Sequence, residues 1–331
     1  MSVLGSLLVD LPDPDEVSRA AVAQRAASVL RPTGALSRLD DVAAWLAAWQ
    51  RTERPAVEDP HAVVFAADHG VAAASVSAYP AEVTVAMLDA LEKGAATASA
   101  MATALGVTLD VVDAGVGRPT GDLRFEPAMD ARRFDEAVRF GVDAVRRADG
   151  ADLLVFGEMG IGNTTAAAAV AATLYDEPAA AWCGRGTGLD DAGLARKIEA
   201  VDACRARVRA RTADPVEILR EAGGAELAAI AGAVVEARRR SIPVVLDGYV
   251  VTAAVAPLAV ALPGALAHVI AGHRSAEPGH GRLLERLGLR ALLELDLRLG
   301  EGTGALAAVP LVKVAAAAVV EVATFQEWGL A

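Results

Sequence analysis

The sequence predicts an α/β protein built on a mostly parallel sheet flanked by helices. Three observations carry that expectation. Short apolar runs rich in β-branched residues recur from His61 onward, alanine-rich segments with helical periodicity separate most of them, and each run ends abruptly in glycine plus a polar residue. Strands that alternate with helices need crossover connections, and so a parallel sheet. The polar endings then fall beyond the carboxyl ends of the strands, the edge at which such sheets bind ligands.

Residues 1–60 read as helical. Asp15 and Glu16, after Pro14, open an amphipathic stretch to Leu30; Arg31-Pro-Thr-Gly34 breaks it, and Leu36 to Trp49 resumes with Leu39, Val42, Leu46 and Trp49 on one face. The expected strands are Ala62–Ala66, Val107–Val112, Leu153–Phe156, Ile242–Leu246, Ala265–Ile270 and Leu292–Leu299. They run into Asp68-His-Gly70, Asp113-Ala-Gly115, Gly157-Glu-Met-Gly160, Asp247-Gly248, Gly272-His-Arg274 and Gly300-Glu-Gly302. Val83–Leu105, Thr164–Leu174 and Ala225–Arg238 are expected helices. Tyr249–Val269 is the most membrane-like stretch, but Pro257, Pro263 and its alanine content mark it as a buried helix rather than a span. Val309–Gly329 reads as one long apolar helix. With the amino-terminal helices it would make a small helical domain of residues 1–60 and 306–331, beside a large α/β domain of residues 61–305.

A chain of 331 residues, 54% hydrophobic and 22% charged, can bury one large core or two modest ones. Aromatics are only 4%, so the core is mostly alanine and valine, which suits close packing of helices on a sheet. The formal net charge of −12 argues against a broad nucleic-acid or anionic-membrane surface, though not against a small anion site. Cys183 and Cys204 have no framework or metal spacing and read as packed thiols. Met1-Ser-Val-Leu-Gly lacks the basic start and apolar core of a signal peptide, so the cytosol is the expected compartment.

Two glycine-rich segments carry the first chemical signal. Gly157-Glu-Met-Gly-Ile-Gly-Asn-Thr-Thr165 lies between a strand and a helix, where several backbone N–H groups and a helix start can hold a phosphate. It lacks the Walker lysine, and a plain turn capped by Asn163 or Thr164 explains the spacing equally well. Gly184-Arg-Gly-Thr-Gly-Leu-Asp-Asp191 feeds a second helix with Asp190 or Asp191 as cap. Lysine occurs only at Lys93, Lys197 and Lys313. Lys197 is either a solvated helix charge or a cation that reaches a phosphate held by the first segment.

The second signal is a set of carboxylates at strand ends: Asp68, Asp113, Glu158, Asp247 and Glu301. Partial desolvation there can raise a carboxyl pKa toward that of a useful general base, though any single one of them more often caps a helix or fixes a loop. Glu301 stands out because Gly300, Gly302 and Gly304 surround it, which would leave its carboxylate open to a cleft. His69, His273 and His280 have no zinc-ligand spacing, so no metal site is expected, and no serine-histidine-aspartate order with a nucleophile elbow occurs.

Seven motifs occur in order: Asp68-His-Gly-Val71, Ser77-Ala-Tyr-Pro-Ala-Glu-Val-Thr84, the two glycine segments, Ile242-Pro-Val-Val-Leu-Asp-Gly248, His273-Arg-Ser-Ala-Glu-Pro-Gly-His280 and Leu297-Arg-Leu-Gly-Glu-Gly-Thr-Gly304. From about Arg31 to Gly329 the chain resembles the nicotinate-nucleotide–dimethylbenzimidazole phosphoribosyltransferases, which make the lower-ligand nucleotide of cobalamin. Small departures are Arg31-Pro-Thr-Gly-Ala-Leu36 and Ala67, at positions where the family more often has Pro-Pro-Gly-Ser-Leu and glycine.

The resemblance implies a homodimer with a Rossmann-like large domain and a helical small domain. It implies transfer of a phosphoribosyl group from nicotinate mononucleotide to 5,6-dimethylbenzimidazole, with no cofactor. It puts the catalytic glutamate at Glu301. Phosphate and mononucleotide contacts fall at Glu158, Gly160, Gly162, Asn163, Thr164, Gly184, Gly186, Lys197, Asp247 and Gly248, and the base pocket at Tyr79, Met87, Met159 and Leu299. Asp68, His69, Asp113, His273 and His280 receive no role. Two other readings stay open: a non-catalytic nucleotide-binding protein on the same fold, and the same chemistry on adenine, another benzimidazole or a phenol.

Overall fold

The computed structural model describes residues 2–330. Helices α1 (Val3–Leu7), α2 (Glu16–Ala26) and α3 (Ser37–Gln50) precede strand β1 (Pro60–Ala67). Helices α4 (Val83–Glu92) and α5 (Thr97–Leu105) lead to β2 (Thr108–Gly115), and α6 (Ala131–Arg147) leads to β3 (Leu153–Met159). Next come α7 (Asn163–Tyr175), α8 (Asp191–Arg209), α9 (Pro215–Ala222) and α10 (Ala225–Arg239), then β4 (Val244–Leu246). Helix α11 (Tyr249–Ala261) runs to β5 (Val269–Ala271), and α12 (Pro278–Leu287) and α13 (Thr303–Val320) complete the order.

All pairings in the sheet are parallel, and the strand order is β2-β1-β3-β4-β5. Within the central strands Ala62–Ala67 and Leu153–Phe156 are apolar without a break because helices cover both faces. Alternate side chains serve opposite cores. Val63, Phe65, Leu154 and Phe156 join one cluster with α6, α7, α10 and α11. Ala62, Val64, Leu153 and Val155 join the other with α3, α5 and α13. Alanine makes the close fit possible: Ala166 to Ala172 of α7 are all fully buried. The chain ends are stitched together, with Leu30 N donating to Ala323 O at 2.9 Å and Arg25 paired to Glu327 at 3.0 Å. Helix α1 instead packs on α6 and α10, across the sheet from α2 and α3.

Several expected elements change. Val83–Leu105 is two helices, divided at Lys93–Gly94. The run Ala265–Ile270 is strand only from Val269, because a turn follows Pro263-Gly264. Leu292–Leu299 is not a strand. It borrows the extension beyond β5, with Leu292 N on Ala271 O and one isolated parallel bridge between His273 and Leu293. Glu294, Leu295, Asp296, Arg298 and Leu299 are exposed, so no second face is buried to hold it in the sheet.

The last long helix is Thr303–Val320, not Val309–Gly329, and the residues after it are turns. Helix α13, rather than Tyr249–Val269, is the described helix long and apolar enough to cross a membrane, with mean hydropathy 1.9. Here it is a core helix: Leu306, Val309, Val312 and Val319 fill the second cluster.

Candidate active site

The strand order reverses between β1 and β3, since the chain passes from β1 to the edge at β2 and then returns to the other side. Crevices at such points, beyond the carboxyl strand ends, are where doubly wound sheets bind ligands. A cavity of about 370 Å³ opens at that edge. It is lined from the loops after β3, β4 and β5, by the start of α4 and by Leu299-Gly-Glu301.

One end of the cavity is a cradle. Gly162 is the N-cap of α7 with φ +96°, a left-handed conformation suited to glycine, and no side chain caps the helix. The capped-turn reading therefore fails. Asn163 Nδ2 turns to Glu158 instead, and the Thr164 hydroxyl accepts from Lys197 Nζ at 2.9 Å. Lys197 is fully buried and also donates to Gly184 O at 3.1 Å, so it is not a solvated charge. Burial lowers its pKa, with the Glu277 carboxylate opposing that shift. The second glycine segment thus lies over the first, and a Cβ on Gly186 would sit 3.4 Å from Thr164 Oγ1 and 3.7 Å from Lys197 Nζ. Asp190 caps α8 through Gly193 N at 2.7 Å, which keeps that helix start for itself. Gly160, Asn163, Thr164, Gly186 and Gly248 line the cavity, while Gly162, Gly184 and Lys197 stand directly behind.

The strand-end carboxylates divide by their partners. Asp113 accepts from Gly115 N and Val116 N, and Asp68 from Gly117 N, so both fix turns. Asp247 lines the cavity, but both of its oxygens are taken: Gly302 N reaches Oδ2 at 3.2 Å, and Ala305 N reaches Oδ1 at 3.0 Å. His273 Nε2 lies 3.3 Å from the same Oδ1. Asp247 therefore caps α13 and fixes the loop that carries Glu301. His280, pushed down to about 3 by burial, stays neutral and accepts from Ser275 N through Nδ1 at 2.9 Å.

Glu301 is not openly exposed as its glycines suggested; it is 2% accessible and lies on the cavity floor. Its φ of +60° is a left-handed conformation for a side-chain-bearing residue, which costs about 1–3 kcal/mol and persists only when the surroundings enforce it. The enforcement is visible. Glu301 N donates to Glu158 O at 3.0 Å, and Oε2 accepts from Ala98 N at 3.2 Å. Oε1 has no hydrogen-bond partner among the described residues. Burial raises the Glu301 pKa, the Ala98 N–H works against that, and the Asp247 charge adds to it.

Glu158, also on the cavity wall, is pushed up to about 8, chiefly by burial and then by the Asp247 and Glu226 carboxylates. Its folded pKa exceeds the ordinary 4.5, so the folded protein binds the extra proton. Stability then falls as pH rises from about 4.5 to about 8, by at most about 1.4 kcal/mol per pH unit. Denaturant melts of the free protein across pH 5–9 should show that slope, and Glu158→Gln should flatten it. An unchanged slope in the variant would exclude Glu158 as its source.

The other end of the cavity is apolar. Tyr79, Met87, Met159 and Leu299 all line it, together with Val83, Ile161 and Val250, which the sequence did not single out. Ser275, Glu277 and Arg298 also line the cavity, from motifs whose sequence assigns those residues no role. The exposed Arg298 donates to Gly186 O at 3.1 Å, tying the two rims together. Burial pushes both cysteine thiols up to about 12, so neither is a nucleophile at neutral pH. No cluster of three or more metal-binding side chains occurs among the described residues.

The family model described as phosphoribosyltransferase matches residues 11–330. The nicotinate-nucleotide–dimethylbenzimidazole phosphoribosyltransferase of Mesorhizobium japonicum is 49% identical over 99% of this chain and 97% of its own. This chain belongs to that phosphoribosyltransferase family. The enzyme of the same name from Methylocella silvestris is 47% identical, over 97% and 94% of the two chains. The crystal structure of the Thermus thermophilus enzyme superposes with a TM-score of 0.90 at 42% identity, covering 96% of this chain and 99% of that one. Membership in the phosphoribosyltransferase family makes the protein a pentosyltransferase, and its relatives match it along nearly their whole lengths.

Proposed function

We propose that the protein transfers the 5-phosphoribosyl group of nicotinate mononucleotide to 5,6-dimethylbenzimidazole, giving α-ribazole 5′-phosphate and nicotinate. The single observation that carries this reading is the Glu301 carboxylate. One oxygen is anchored to Ala98 N and the other is unpartnered, on the floor between an apolar slot and an anion cradle.

The 5′-phosphate goes to the start of α7, where the N–H groups of Gly162 and Thr164 have no acceptor among the described residues, and the helix dipole and buried Lys197 add positive potential. The benzimidazole lies in the slot of Tyr79, Met87, Met159 and Leu299. Its unprotonated ring nitrogen attacks the anomeric carbon as the bond to the pyridinium nitrogen breaks. The bonding pair leaves with nicotinate, neutralising the pyridinium, and Glu301 takes the proton from the second ring nitrogen. Attack opposite the leaving group inverts the β-nucleotide to an α-product. The pyridinium is already a good leaving group, so positioning and one base suffice. In this reading the small domain is drawn from residues 1–60 and 306–331, except that α1 packs on α6 and α10 of the large domain. The enzyme works in the cytosol as a homodimer, for which exposed Phe325, Trp328 and Leu330 offer apolar surface.

Incubation with nicotinate mononucleotide and a panel of bases (dimethylbenzimidazole, benzimidazole, adenine and a phenol) should yield an α-linked nucleotide, by mass and anomeric NMR coupling. No product with any base would favour a non-catalytic nucleotide binder. A stronger product signal with another base would reassign the acceptor.

A further inference from the structure

Among the buried titratable groups that this chemistry leaves unused, the most constrained pair is His69 and Glu226. Neither side chain has any exposure, and His69 Nε2 lies 2.6 Å from Glu226 Oε1. With Glu226 as a carboxylate, Oε1 accepts and Nε2 carries the hydrogen. His69 Nδ1 and Glu226 Oε2 have no partner among the described residues, so this bond is the pair's one polar tie. Glu226 stands in the first turn of α10, where the positive end of the helix favours its charge.

The place of the ring gives the pair its meaning. A Cβ on Gly160 would lie 3.3 Å from His69 Nε2, a Cβ on Gly162 would lie 3.4 Å from His69 Cβ, and a Cβ on Gly224 would lie 2.3 Å from Cε1. The imidazole is thus wedged between the back of the Gly160–Gly162 turn and the start of α10. Its own backbone is fixed on both sides. Asp68 Oδ2 holds Gly117 N at 2.8 Å, and Gly70 N holds Thr120 Oγ1 at 3.2 Å. His69 does not line the cavity, so it acts through the turn alone.

We propose that His69, locked by Glu226, is a positioning residue that sets the height and tilt of the phosphate-binding turn. This rests on the reading of that turn as the mononucleotide's phosphate site. Phosphate contacts are made alike in the ground and transition states, so loosening the turn raises KM for the mononucleotide and spares kcat.

His69→Ala should raise the KM for nicotinate mononucleotide about 10-fold or more, since small displacements of positioning groups are costly. The KM for the base and kcat should stay within about 3-fold. His69→Gln, whose amide can donate to Glu226 Oε1, should recover most of the loss. Inorganic phosphate should raise the melting temperature of the wild type and of His69→Gln, and of His69→Ala much less. If His69→Ala does not fold, His69→Gln compared with His69→Leu decides by the same readings. Equal phosphate protection in all variants overturns the proposal, as does a parallel fall in kcat and rise in both KM values that glutamine does not rescue. Failure of the wild type to turn over the mononucleotide would sink the functional reading instead, and the phosphate-protection series would still test the strut.

Discussion

Glu301→Gln is expected to cut turnover by about 10²-fold or more while leaving nicotinate mononucleotide binding nearly unchanged. The substitution keeps the shape of the side chain, and its carbonyl oxygen can still accept from Ala98 N, so the strained loop survives. What disappears is a base that can take the proton as the benzimidazole becomes cationic. Because burial raises the Glu301 pKa, the reactive carboxylate is lost as pH falls through a value above that of an ordinary glutamate. The acid limb of the wild-type kcat profile should therefore lie above the usual glutamate range, and it should vanish in the variant. Steady-state kinetics and calorimetric titration of the mononucleotide separate these effects. Near-normal turnover in Glu301→Gln would refute the assignment of the base.

Gly157→Ala should be nearly as damaging, although Gly157 contributes no functional group. A Cβ there would stand 2.3 Å from Gly302 N and 2.5 Å from the Glu301 carbonyl carbon, both backbone atoms of the loop that carries Glu301. Backbone cannot swing aside as a long side chain can. The loop must move off β3, straining its links to Glu158 O and to Asp247, which also hold the start of α13. Overpacking of this kind costs about 1–3 kcal/mol, and a displacement of about 1 Å at the base costs about 10²-fold in rate. The expected result is a folded protein with a lower melting point and a kcat reduced by about that factor. Wild-type kcat in a folded Gly157→Ala would mean that the loop finds another seat, and that Glu301 is less tightly specified than its geometry indicates.

These two residues show how unevenly the site is written in the chain. Glu301 is conspicuous in sequence because glycines flank it, yet its neighbours suggested an open carboxylate, and the fold buries it. Spacing left Lys197 open between a solvated helix charge and a cation reaching across to the first glycine segment, because the Thr164 hydroxyl it binds is 33 residues away. The resemblance alone put Asp247 near the mononucleotide, and tertiary contacts commit both its oxygens to a helix start. His69 and Glu226 are 157 residues apart, and no local pattern pairs them. Leu292–Leu299 had the composition of a strand, but nothing covers its outer side, so the sheet ends at β5.

What the chain carried by itself was local and periodic. Apolar runs of strand length, alanine-rich helices and glycine turns specify crossovers and a parallel sheet, because those preferences depend on neighbours within a few residues. Seven ordered motifs also carry the resemblance to the family. Only the folded chain decided which carboxylate keeps a free oxygen, how deeply the lysine is buried, and which ring stands behind the Gly160–Gly162 turn. Burial and hydrogen-bond pairing depend on distances between segments far apart in sequence, and those distances exist only once both faces of the sheet have been packed.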